Sequence, residues 1–162
     1  MIFTPNEWIE IIAAALGTLG FGVLFNIRGK KLLVATLGGF LAWMVFIMLG
    51  WLIANEPVRY FIVSVVTSVY SEVFARIMKT PRTTFWIVCL IPLVPGSALY
   101  YTMSYALNNS MANFMTKALY TLELSAALSL GIVVVAAASR SIVKMQMKKH
   151  QQMHRAKQQE NQ

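Results

Sequence analysis

Five long apolar stretches, separated by short polar loops, leave this chain few ways to fold. They run from Trp8 to Phe25, Leu32 to Ile53, Val58 to Ala75, Thr84 to Leu107 and Ala118 to Ala138. As helices rising about 1.5 Å per residue, each is long enough to cross a hydrocarbon core of about 30 Å. The third is the most polar, because Arg59 and Glu72 cut into it. Hydrophobic residues make up 57% of the chain and charged ones 12%, with a mean hydropathy of +0.61, well beyond a soluble domain. The expected fold is an all-α integral membrane protein of five transmembrane helices in a lipid bilayer. Residues 1–143 form that domain, and residues 144–162 form a basic cytoplasmic tail.

Lys and Arg set the expected orientation, because basic residues in short loops stay on the cytoplasmic side. Arg28, Lys30 and Lys31 follow the first span, Arg59 alone follows the second, and Arg76, Lys79 and Arg82 follow the third. Lys117 stands alone after the fourth, and Arg140 with five further basic residues follows the fifth. That alternation puts the N-terminus outside and the C-terminus inside. It also accounts for the formal charge of +8 as topology, so nucleic acid is not an expected partner. Glu7 and Glu10, rather than a basic region, precede or open the first apolar run, so it reads as a permanent helix and not a secretory signal. Trp8, Trp51, Tyr60 and Trp86 near the span ends fit aromatic belts, whereas mid-span Trp43 reads as a packing residue.

The fourth span carries a break, Ile91-Pro92-Leu93-Val94-Pro95-Gly96-Ser97. Prolines release backbone hydrogen bonds in a helix interior, and hydrocarbon tolerates free backbone groups only where protein or a polar cavity covers them. The first half-helix is expected to end near Ile91 and the second to begin near Pro95 to Ser97, with free amides and the positive end of its dipole near mid-membrane. Pro95 suits such a start, and Gly96 lets a ligand approach the backbone. Ser97, Tyr101, Thr102 and Ser104 add side-chain donors and acceptors, and Tyr100 stacks or packs nearby. Discontinuous helices facing an anionic group are a recurring transporter device, and a packing kink is the alternative.

Polar residues within the other spans form a second layer. Ser64, Thr67, Ser68, Ser71, Glu72 and Ala75 recur at helical spacing as one small, polar stripe. Glu72 precedes Arg76 by one turn, placing the two for an ion pair that either ends the helix or lies on a permeation path. Glu123 lies about a turn and a half below Lys117 and shares a face with Ala126, Ala127, Leu130 and Gly131. Pointed into such a small-residue contact, its carboxylate is either partnered or a protonatable coupling group. Ala13, Gly17 and Gly20, like Gly38 and Gly39, read as helix contacts.

Cys89 is the sole cysteine and reads as a small buried hydrophobe. His150 and His154 stand at i and i+4 but lack further ligands, so no metal and no cofactor is expected. The absence of Asp, of a histidine within a span and of a nucleophile beside a base argues against an enzyme.

Ile91-Pro92-Leu93-Val94-Pro95-Gly96, followed by Tyr100-Tyr101-Thr102-Met103, resembles the proline-glycine motif of the bacterial threonine/serine exporter family, in its second five-helix half. Gly20-Phe21-Gly22 through Leu24-Phe25-Asn26-Ile27 is similar to that family's Phe-Asn motif, although Arg28-Gly29 stands where a proline often follows. The resemblance covers nearly the whole chain. It implies export of small hydroxy amino acids, or of dicarboxylates such as succinate, across the bacterial cytoplasmic membrane. It also implies a larger five-span partner subunit supplying the other half of the site. Pro92, Pro95, Gly96, Ser97, Tyr101 and Thr102 are then the expected substrate contacts, with Glu72, Arg76 and Glu123 for coupling or ion pairing. Phe25 and Asn26 are the expected structural loop motif. A non-transporting membrane scaffold is the competing expectation.

Overall fold

The computed structural model describes residues 4–160, with side chains described through Ser141. Its elements are α1 (Pro5–Leu24), α2 (Lys30–Leu52), α3 (Glu56–Ile77), α4 (Arg82–Leu90), a 3-10 turn (Ile91–Leu93), α5 (Gly96–Leu107) and α6 (Met111–Glu160). Four helices are long and apolar enough to cross a membrane by themselves. Arg82–Leu93 and Gly96–Leu107 are long and apolar enough only as a pair, bent by 60° at the break, which gives four to five candidate spans among the described residues. Helix α6 continues past Ser141 to Glu160. The side chains of His150, His154 and the basic tail lie outside the described residues.

Each helix end has a local cause. Thr4 and Glu7 close a reciprocal capping box at the start of α1, with Pro5 at its first position. Asn55 caps α3 by accepting from the Val58 amide. Helices α1, α3 and α5 end alike, through a left-handed residue: Asn26 (φ 57°), Lys79 (φ 49°) and Asn109 (φ 53°). Around each, two amides turn back onto the last turn, as in Ile27 to the Gly22 carbonyl and Thr80 to the Ala75 carbonyl. Asn26 thus supplies the left-handed turn between α1 and α2. It also accepts from Arg28 Nε at 2.9 Å, while Phe25 stays half exposed.

Helix α3 is the hub, packed against α2, α4 and α6. Its polar stripe faces inward as expected, with Ser64, Thr67, Ser68, Ser71, Glu72 and Ala75 all buried, while Val66, Val69 and Val73 face out. Gly131 of α6 sits where any β-carbon would meet the Ser64 side chain and the Phe61 carbonyl, so α3 and α6 approach closely. Gly39 fits against Thr18 of α1, and Gly38 against Cys89 and Tyr70. Cys89 is fully buried, its thiol near the Ala35 carbonyl.

Three expectations are corrected. Ala13, Gly17 and Gly20 face outward, because α1 presents Ile11, Thr18 and Gly22 to the bundle instead. Nothing lies within 4 Å of a β-carbon built on Gly17 or Gly20. Tyr60 is no belt residue: it is buried with its ring 4.9 Å from Phe46. Trp86 turns inward too, donating to the Ser68 carbonyl, and mid-span Trp43 donates to Glu10 at 3.3 Å as well as packing on Phe46.

Candidate functional site

The backbone between Leu90 and Gly96 is shaped by its two prolines. Pro92 lacks an N–H and converts the end of α4 to a 3-10 turn whose carbonyl at Ile91 accepts from Val94. Pro95, buried, then opens α5 and its carbonyl accepts from Leu99. The Gly96 amide bonds back to Val94, and the amides of Ser97 and Ala98 at the start of α5 have no backbone partner among the described residues. Leu93, fully buried, anchors the bend against Ala42, Phe46, Val63 and Leu124.

Gly96 and Ser97 are exposed on the surface of the chain. A β-carbon at Gly96 would meet nothing within 4 Å, so the space over this backbone is open. Next to it, Ser97 and Tyr101 line a cavity of about 200 Å³ together with Glu56, Lys117 and Tyr120. Tyr120 donates to Glu56 across the cavity, and Lys117 Nζ sits 5.2 Å over the Tyr120 ring. A cation, a carboxylate, a hydroxyl, tyrosine phenols and a helix N-terminus thus border one space, a mixed polar lining with both charges present. Tyr100 and Tyr101 meet edge to face at 5.5 Å, both largely exposed.

Not every expected residue joins them. Thr102 turns to α6, its hydroxyl 3.0 Å from that of Thr121, and acts as an inter-helix tie. Pro92, Pro95 and Gly96 shape the bend without lining the cavity. Glu123 is exposed on the outer face of α6, not sunk between helices. Thr121, Leu124, Gly131 and Val135 form the buried face of that helix, and this rotation carries Glu123 outward. Lys117, Glu56 and Tyr120 were not anticipated as site residues. Their one sequence signal is Lys117, a lone cation at the end otherwise poor in basic residues.

Glu72 and Arg76 lie elsewhere, at the basic end where α3 finishes and α4 begins, about 15 Å along α4 from the break. Glu72 Oε1 accepts from Arg76 Nε at 3.0 Å and Nη2 at 2.9 Å, giving the anticipated pair. Arg82 is the addition: its Nη1 reaches Glu72 Oε2 at 3.3 Å and Ser139 Oγ at 2.7 Å, joining α4 to both α3 and α6.

A bundle of apolar helices, one pair of them bent over an exposed helix N-terminus, is the architecture of a multi-pass membrane protein. The family model described as "Threonine/Serine exporter, ThrE" matches residues 10–138, and the chain belongs to that family. No curated protein and no solved structure matches it.

Proposed function

We propose that this chain is one half of a secondary exporter that moves small carboxylate-bearing metabolites, threonine and serine foremost, out across the bacterial cytoplasmic membrane. The observation that carries the reading is the bent span. It places the start of α5, with the Ser97 amide unpaired among the described residues and its residue exposed, beside a cavity lined by both Lys117 and Glu56. A substrate carboxylate would meet the Ser97 amide and the Lys117 ammonium, while Tyr101, the Ser97 hydroxyl and Glu56 receive its polar remainder. Because Gly96, Ser97 and Tyr101 are exposed on this chain, a larger five-span subunit would cover them. The alternation of basic residues supports an outside N-terminus and an inside C-terminus, the inverse of a first half that starts inside. Glu123, exposed within its span, is the candidate for proton coupling.

Gly96→Trp tests this reading with little risk to folding, because the side chain enters open space. Cells loaded with a threonine-containing dipeptide should lose threonine efflux while the variant accumulates in the membrane at normal levels. Unchanged efflux would refute the reading.

A further inference from the structure

The basic end holds a second cavity, of about 300 Å³, lined by Glu72, Arg76, Lys79, Thr80 and Arg82. Three cations face one carboxylate there, and that carboxylate is already shared between two guanidiniums. The sharing leaves donors over. Arg82 uses only Nη1 for Glu72 and Ser139, so its Nε and Nη2, the edge that grips a carboxylate in two parallel bonds, have no partner among the described residues. Lys79 has no ion partner among them either, and the Thr80 hydroxyl is buried without a hydrogen bond.

Backbone geometry points the same way. Lys79 occupies the left-handed position that closes α3, where glycine or asparagine is usual and where Asn26 and Asn109 stand in the equivalent turns. A lysine there is conformationally costly, and its side chain borders the cavity. Arg82 opens α4 behind Pro81, which provides no side-chain cap, so the positive end of that helix adds to the field.

We infer that this cavity is an anion-binding site in which Arg82, Lys79 and Thr80 take the carboxylate or phosphate of an anion, with Glu72 holding both arginines in place. The inference rests on the proposed handling of carboxylate solutes for one of its two anion sources, a soluble carboxylate gathered at this mouth before transport. The other source is the headgroup of an anionic lipid. Both present the same chemistry to the same donors, and the cavity's net charge of two positives (Arg76, Lys79 and Arg82 against Glu72) suits either.

Binding of radiolabelled succinate to the full chain in phosphatidylcholine nanodiscs tests the site without requiring transport. Wild type should bind saturably, and Lys79→Gln, which removes one charge and no described ion pair, should weaken binding about tenfold. Thr80→Val should weaken it severalfold. In nanodiscs containing phosphatidylglycerol, undiminished succinate binding identifies a soluble carboxylate as the occupant. Displacement of succinate, with lipid retained on wild type but not on Lys79→Gln in native mass spectrometry, identifies the headgroup. Either result supports the site. Absence of both saturable succinate binding and lipid retention overturns it, as does equal binding by wild type and Lys79→Gln. The outcome is separable from that at the break: normal efflux by Gly96→Trp alongside lost binding by Lys79→Gln would refute the transport reading and keep the anion site.

Discussion

Lys79 and Gly131 place opposite demands on their backbones, and substitutions there should move stability in opposite directions. At φ 49° Lys79 carries a β-carbon in left-handed space, at a cost of about 1–2 kcal/mol. Lys79→Gly should therefore raise the melting temperature of the purified chain by a few degrees, on the order of 2–4 °C per kcal/mol. The same variant should lose succinate affinity, a gain in stability at the expense of binding. Gly131 is the reverse case, since a side chain would be driven into Ser64 and the Phe61 carbonyl. Gly131→Val should destabilise the chain by about 1–3 kcal/mol or more, read as a lower melting temperature. The glycine at the break differs from both, with room above it and no constraint on φ, so its substitution reports on ligand access and not on folding.

At the scale of elements, α5 is the least embedded part of the bundle, packed chiefly against α6. The Thr102–Thr121 hydroxyl pair is the polar part of that seam; with one proton each, one threonine donates across it while the other donates to the carbonyl four residues back in its own helix. A double-mutant cycle of Thr102→Val and Thr121→Val should give a coupling of about 0.5–1.5 kcal/mol in thermal unfolding. A coupling near zero would mean the hydroxyls are satisfied separately by their own helices. Element identity was legible in the sequence because hydrocarbon thickness fixes span length and because Pro92, Pro95 and Gly96 exclude a continuous helix. The inward stripe of α3 was legible for a similar reason, six small or polar residues repeating at helical period. The rotation of α6 was not. Glu123 sits near small residues on both sides, Ala126 and Ala127, and one-dimensional spacing does not tell which flank meets α3 until the Gly131–Ser64 contact settles it. Trp43 to Glu10, Arg82 to Ser139 and Tyr120 to Glu56 join residues far apart in sequence, so no local pattern announces them. For that reason Lys117 was read only as a topology marker, although it borders the cavity beside the break.

For the molecule as a whole, orientation is the property most open to test. In a Cys89→Ser background, Asn108→Cys should react with an impermeant maleimide added to intact cells, and Lys30→Cys should react only after permeabilisation. The converse labelling would invert the orientation proposed from the basic residues. Arg82 bears on the same scale through a mechanical consequence. Fastened to Glu72 and Ser139, it makes the ends of α3, α4 and α6 at the basic end a single clamped foot. The crease between Val94 and Gly96 lies beyond that foot. Chiefly α6 carries α5 back to that foot, so the panel beyond the crease hangs from the bundle mainly along one seam, the one the Thr102–Thr121 pair closes.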